Sequence, residues 1–584
     1  MSKPEQKATT DALGRLYVYL QPYRLQLLIV IAFVIISTLL SLVAPYLIGV
    51  AIDDFIAKEN RSGLINIVLA LSLAYLGTWL SQVAQARIMA KVAQQTLDAL
   101  RYDLFSHLQE LSISFFDSQP VGDLMSRLIN DTDAVNVLLS QNLIQLFIAG
   151  FTLVGILFMM FFLNVWLALA SLIVMPFMVI VVFLVGRQLG PRFRRQQEAL
   201  GDLNGLMEET LSGQRVVIAY GQQLRATQTF DQANQRVREA AIQANQLGVS
   251  ILAIVLGLTF INIAVVVGTG AYMAIIGVAS VSAGLIATFM TYSQRIIQPL
   301  LALVNLYNVI VAALAGAERI FEVMDEAPSV QDLAHAEALP DIQGSVAFTN
   351  VDFGYGPDSP VLHDNTFTVK PGEIIGLCGP TGAGKSTLIN VLTRFYDIHN
   401  GAIAIDGIDI RTVTQESLRR QIGVVLQTPF LFSDTVMNNI RYGRLDATAE
   451  ECMAAAQLAN ANGFIERLPQ GYMTMLTEQG GNLSQGQRQL LTIARAILAD
   501  PSVLILDEAT SSVDTRTEKQ IQDALHRLMK GRTSFVIAHR LSTIRDADQI
   551  LVVRDGRILE QGNHSQLVAQ RGFYYELFMS QFST

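Results

Sequence analysis

The sequence predicts two unlike halves: an α-helical domain with six membrane spans, and after it an α/β domain with a largely parallel sheet. Three observations predict this. Apolar runs long enough to cross a bilayer occur six times before about Leu303. Only 16% of the 584 residues are charged, against about 25% in a soluble domain. Beyond residue 345, strand-like runs alternate with helical ones to the end of the chain.

The size alone calls for two or three domains. A net charge of −9 argues against a nucleic-acid binder, which would carry a basic surface. The two cysteines, Cys378 and Cys452, have no metal-binding spacing and read as buried apolar residues of a reducing compartment. Residues 1–10 are polar and carry no signal-peptide pattern.

The expected spans are 25–50, 64–83, 143–163, 166–185, 248–276 and 283–304, the last interrupted by Gln294, Arg295 and Gln298. Spans three and four are joined by little more than Asn164-Val165, and five and six by an uncharged loop, 277–282. Arginine and lysine gather on the other side: Arg15, Arg24, Arg87, Lys91, Arg101 and the cluster Arg187, Arg192, Arg194 and Arg195. The positive-inside rule places that side and both termini in the cytoplasm. Two cytoplasmic connections, 84–142 and 186–247, are long and rich in helix formers. Each reads as a helical hairpin reaching some 30–40 Å beyond the bilayer at about 1.5 Å per residue. Pro120-Val-Gly122 marks the turn of the first and Gly213 that of the second. Their apolar tips, Phe115-Phe116 and 216–220, read as docking points for another domain. No charged side chain lies deep in the first five spans, so a proton or ion relay is not expected and the cargo reads as largely apolar.

Residues 325–344 are acidic, contain Pro328 and Pro340, and read as a linker. The domain after them holds Gly379-Pro380-Thr381-Gly382-Ala383-Gly384-Lys385-Ser386-Thr387, between an apolar strand and a helix. That context is what a phosphate-binding loop needs. Glycines let successive N–H groups point at an anion, the helix adds its positive end, Lys385 brings a full charge and Ser386 a hydroxyl for Mg²⁺. Chance alone would place the bare pattern in roughly a few per cent of chains this long. Two further motifs make chance untenable. The apolar run 502–506 ends in Asp507, suited to Mg²⁺, and Glu508, suited to polarising an attacking water as general base. Leu483-Ser484-Gln485-Gly486-Gln487 opens a helix, with Ser484 at its N-cap, and forms a second anion site. The fold class is therefore a six-span helical membrane domain followed by a cytoplasmic α/β P-loop NTPase domain.

Together these motifs resemble the nucleotide-binding domain of an ABC transporter. The whole chain resembles a bacterial ABC exporter half-transporter of the multidrug and lipid-exporter superfamily. The resemblance implies four segments: 1–24 cytoplasmic, 25–320 membrane domain with long loops, 321–344 linker and 345–584 ATPase domain. It implies that Tyr355 stacks on adenine, that Gly379 to Thr387 cradle the phosphates, and that Ser484, Gly486 and Gln487 cap ATP held by the opposite subunit. Ser386, Gln427 and Asp507 would hold Mg²⁺. Glu508, His539 and Gln427 would serve hydrolysis, His539 as the switch histidine on the γ-phosphate, and residues 511–514 would cross the dimer interface. The first long loop matches through Phe115-Phe116-Asp117 and Gly122–Arg127. ATP and Mg²⁺ are the implied cofactors. The implied partners are a second half-transporter, identical or related, membrane lipids and a hydrophobic small-molecule cargo, with no nucleic acid. The implied location is the bacterial inner (plasma) membrane. Two features depart from the commonest pattern: Gln485 stands where glycine is usual, and 477–482 is a short lead-in to the signature. The expectation is ATP-driven export or flipping of a hydrophobic or amphipathic substrate by alternating access. The alternatives are an ATP-gated channel or regulator on the same frame, and a non-transport ABC ATPase, against which the six spans weigh.

Overall fold

The computed structural model describes residues 3–277, 281–356, 359–507, 515–537 and 544–582. The chain forms two compact units. One comprises 1–109 and 122–325, the other 110–121 and 326–584.

The first unit is entirely helical. An N-terminal helix, Lys3–Leu20, lies along the last helix of the unit, Ile297–Met324, where Arg15 pairs with Asp325 at 2.7 Å and sits over the Phe321 ring. Four continuous helical stretches are long and apolar enough to cross a membrane among the described residues: Ala12–Ile56, Arg61–Glu110, Val121–Leu163 and Gln223–Ile275. The fourth and sixth expected spans are helical but broken. The fourth divides into Val165–Leu172 and Met175–Ser212 beside Pro176, and the sixth into Ala283–Arg295 and Ile297–Met324 ahead of Pro299. A proline lacks the N–H that closes the preceding turn, which accounts for both breaks. Large side chains on these helices, Leu73, Phe158, Phe162 and Phe260 among them, are 65–74% exposed. An apolar surface of this extent belongs in lipid.

The two long connections differ from expectation in detail. The first helix runs unbroken to Glu110, so its 27 residues beyond the span reach about 40 Å. The reversal occupies 111–120 and contains a short helix of its own, Ile113–Ser118, rather than a turn centred on Pro120 to Gly122. Pro120 directly precedes the next helix, Val121–Ser126, a place where a missing N–H costs little. The second reversal begins at Gly213, as the sequence indicates, and also carries a short helix, Gln214–Ala219.

The second unit is built on two sheets. Strands β3 (Ile374–Cys378), β6 (Ile422–Val425), β7 (Val503–Asp507), β8 (Thr533–Ile537), β9 (Gln549–Arg554) and β10 (Arg557–Gly562) form one sheet in the order β10-β9-β3-β8-β7-β6. All neighbours in it are parallel except β9 and β10. The other sheet was not anticipated. It is antiparallel, in the order β2-β1-β4-β5, from β1 (Val346–Gly356), β2 (Ser359–Val369), β4 (Asn400–Ile405) and β5 (Ile408–Asp409). Val346–Gly356 is one long strand, β1, with a bulge near Asn350. In β7 the alternate residues Leu504 and Leu506 join one buried core, with helices, and Val503 and Ile505 join another, beneath the antiparallel sheet. This is why the strand is apolar throughout.

The acidic stretch read as a linker is packed into this unit. Leu339 and Ile342 lie in its core, and the buried Arg394 binds Gln331 O at 2.9 Å and the Asp332 carboxylate at 3.4 Å. The loop tip 110–121 also belongs here. The Ser114 and Ser329 hydroxyls share a hydrogen bond of 2.7 Å, Val330 N donates to Ser112 Oγ at 3.0 Å, and the Tyr396 hydroxyl donates to Asp117. Burial and that carboxylate raise the phenol of Tyr396 far above its ordinary range.

Candidate functional site

Parallel register brings the strand ends that lead into several of the expected site residues to one edge. Leu377 of β3 pairs with Ile537 of β8, Ile537 with Asp507 of β7, and Leu506 with Val425 of β6. The carboxyl ends of four strands therefore stand level, and the chain leaves them as the phosphate loop, the segment containing Glu508, the segment containing His539, and Leu426-Gln427. Crevices of this kind are where ligands bind in parallel α/β sheets. Glu508, His539 and 511–514 lie outside the described residues.

The phosphate loop has the geometry of an anion cradle. Gly379 takes φ +145°, and a Cβ there would stand 2.0 Å from Val553 O. Gly384 takes φ +102° and caps the helix Lys385–Leu392. Only glycine adopts such angles without strain. Lys385 is buried, and its ammonium donates to Gly379 O and Pro380 O, each at 2.8 Å. The ammonium is thereby held inside the turn that the helix N-terminus closes. Gly382 takes φ +80° with open space beside it, Ala383 is buried, and Pro380, Thr381 and Ser386 are exposed. Helix dipole, turned N–H groups and a fixed ammonium all favour a polyphosphate.

Tyr355, half exposed on β1, offers a ring at the rim of this cradle. Its hydroxyl is tied to Thr387 Oγ1 and Asn390 Nδ2, each at 3.2 Å, and its ring meets Phe353 and Tyr396 edge-on. Gln427 is exposed just past β6, and Asp507 ends β7 partly exposed. These placements suit an adenine platform and a Mg²⁺ shell, with Ser386 the third oxygen donor.

The Ser484 motif begins the helix Gln485–Ala499. Ser484 Oγ accepts from Gln487 N at 3.3 Å, and Gln487 Oε1 accepts from Ser484 N at 2.9 Å, a reciprocal capping box. The S-x-x-Q spacing announces this pairing, which the sequence reading passed over. Gln487 thus holds the cap, and the exposed Ser484 and buried Gly486 form the helix start. Gln489, one turn on, donates to Leu426 O at 3.4 Å and links this helix to the residue before Gln427. Sequence reasoning also missed Tyr396 and Arg394. A lone Tyr or Arg carries no local signal: the acid partner of Tyr396 lies 279 residues away, and Arg394, besides Asp397 three residues on, reaches Asp332 and Gln331, 62 and 63 residues away.

Fold and site define a membrane-embedded P-loop ATPase with its membrane and nucleotide domains on one chain. Two families match in that order: the ABC transporter transmembrane region over residues 27–300, and ABC transporter over residues 362–511. An uncharacterized ABC transporter ATP-binding protein of Bacillus subtilis, YfiC, is 44% identical over 576 residues, 99% of this chain and 95% of that protein. The fatty acid ABC transporter ATP-binding/permease protein of Mycobacterium tuberculosis is 42% identical over 90% of this chain and 82% of its own length. The ATP-dependent lipid A-core flippase of Syntrophus aciditrophicus is 38% identical over 98% of this chain and 95% of its own length. Among solved structures, a bacterial Atm1-family ABC exporter with ATP bound superposes with a TM-score of 0.77 at 30% identity, covering 96% of this chain and 98% of that one. The chain belongs to the ABC transporters, as a bacterial exporter half-transporter. It is a membrane protein that binds and hydrolyses ATP, and it works as a dimer of half-transporters.

Proposed function

We propose that this half-transporter moves a hydrophobic or amphipathic molecule outward by alternating access across the bacterial inner membrane, with the ATPase domain and both termini cytoplasmic. The cargo class is a drug, a lipid or a peptide-like molecule. The names of the fatty acid transporter and the lipid A-core flippase favour a lipid. The observation that carries the reading is the level carboxyl edge, where phosphate loop, Asp507 and Gln427 meet on a chain that also crosses the membrane. The domain bounds are 25–320 and 345–584, with 326–344 packed onto the second.

In this reading the Gly379–Thr387 backbone binds the phosphates, Lys385 neutralises them, and Tyr355 positions the adenine. Ser484 and Gly486 of one chain close over the nucleotide of the other, the helix of Gln487 aiming them. Ser386, Asp507 and Gln427 would hold Mg²⁺, which would supply positive charge to the phosphates. Glu508 accepts the proton of the attacking water, and His539 orients the γ-phosphate. Closed ATPase domains favour the outward-open membrane domain, because ATP binds the closed state more tightly. The second loop tip fits docking on the partner chain: Val216, Ile218 and Tyr220 are 57–76% exposed in this one. The partner is an identical or a related chain.

The test uses the purified dimer. Glu508→Gln should bind ATP normally and slow hydrolysis about 10²–10⁴-fold, since an amide accepts no proton at neutral pH. Lys385→Ala should lose nucleotide binding and hydrolysis together. Wild-type hydrolysis by the glutamine variant would remove Glu508 as the base. Failure of sealed vesicles to accumulate any amphiphile with ATP would remove export.

A further inference from the structure

The break in the last span places an arginine inside the membrane domain. Pro299 leaves the carbonyl of Arg295 without its helical donor, and the helix stops at Arg295 and restarts at Ile297. The first span carries the matching defect. Pro45 has no N–H for the carbonyl four residues back, Ser41 O, and Arg295 Nη1 donates to that oxygen at 2.8 Å. Neighbouring bonds hold the same crossing, from Tyr292 OH to Leu42 O at 2.6 Å and from Thr288 Oγ1 to Pro45 O at 3.1 Å. A guanidinium has five N–H donors in a fixed fork, and this contact occupies one nitrogen.

The rest of the side chain lines a cavity of about 640 Å³, within the range of small-molecule sites. Gln141, Asn142, Gln145 and Gln298 share that wall, and Gln141 and Asn142 lie on a π-helical turn, Leu138–Asn142, that widens the start of the third span. The remaining lining is mostly aliphatic, Ile148 and Leu301 for example. Among the described residues Arg295 is the one charged side chain of the lining, and no carboxylate pairs with it. A charge within a membrane span is expensive unless it is answered, and such residues mark ligand pathways.

We propose that this cavity binds the headgroup of an anionic single-chain amphiphile, a carboxylate or phosphate monoester on a hydrocarbon tail. The fork of Arg295 takes the anion, the amides of Gln141, Gln145 and Gln298 donate to its remaining oxygens, and the aliphatic wall takes the start of the tail. The assignment rests on the exporter reading and gives it a substrate class.

The test is equilibrium binding of radiolabelled oleate to the dimer in phosphatidylcholine nanodiscs. Oleyl phosphate should compete like unlabelled oleate. Oleyl alcohol and oleylamine should compete about ten- to a hundredfold more weakly, the worth of a charge-assisted hydrogen bond. Equal competition by the alcohol, or by inorganic phosphate alone, would overturn the assignment. Because Arg295 also props the first span, its substitution is made on Pro45→Ala, which returns an N–H to Ser41 O. There Arg295→Gln should lose oleate affinity by the same factor, and Arg295→Lys, which keeps the charge but not the fork, should lose less. Unchanged affinity in the glutamine variant would sink the proposal. Oleate binding that persists without ATP-dependent transport in sealed vesicles would leave the site standing and fail export instead.

Discussion

Cys378 ends β3 directly beneath the phosphate loop, and burial pushes its thiol up to about 12. Cys452 sits in the helical core of the same unit, its thiol also raised by burial. Thiolates react and thiols do not. The native chain should therefore take up no maleimide at pH 8 and two equivalents once denatured, read by mass spectrometry. Labelling of Cys378 in the folded protein would mean that the strand below the loop opens. The sequence already marked both residues as buried and unused. It also marked every residue of the phosphate loop, since that loop is a local turn whose glycines are dictated by backbone angles such as φ +145° at Gly379. It was silent on Arg394 and Tyr396, whose roles arise only when distant segments meet.

At the scale of elements, the first and last spans cross where both backbones are bare. A Cβ on Gly284 would lie 2.1 Å from Gly49 O and 2.6 Å from the Asp53 carboxylate. That carboxylate holds the start of the last span, accepting from Gly284 N at 2.8 Å and from the Ser282 hydroxyl. Asp53 is positioned by a π-helical end to the first span, Ala51–Ile56. Gly284→Val should separate the two helices and cost about 1–3 kcal/mol or more, in the manner of other overpacked contacts. The loss should appear as a lower midpoint of thermal aggregation in detergent, with Gly150→Val, which faces open space, as the control. A midpoint equal to that of the control would show that the crossing yields without strain. Hydropathy located the first span, within Ala12–Ile56, because a long apolar run is a strong signal, whereas the last is interrupted by Gln294, Arg295 and Gln298. It missed the crossing and the breaks, because Pro45, Pro176 and Pro299 act through single carbonyls that an average over the span conceals. The antiparallel sheet escaped for a similar reason: β1 is bulged, so its alternation resets near Asn350 and reads as two short runs.

For the whole molecule, the orientation follows from arginine and lysine placement and is checked by the same thiol chemistry. In the wild-type background, single cysteines at 278–281 should react with an impermeant maleimide added to intact cells. Those at 213–216 should react only after lysis, and the reverse pattern would invert the membrane domain. The two loop tips have unlike fates in one chain. The first, 110–121, is packed into the ATPase unit, whereas Val216, Ile218 and Tyr220 of the second stay open. The first contact also has a history in time. Ser114 leaves the ribosome 215 residues ahead of Ser329, its partner. At about 5–20 residues per second, Phe115 and Phe116 wait roughly 10–40 s for Ser329 alone, and longer for the domain that follows it. During that interval the nascent chain presents a bare aromatic pair. A chaperone that shields it, or a translation pause that lengthens the wait, would act on the yield of transporter before any second chain is met.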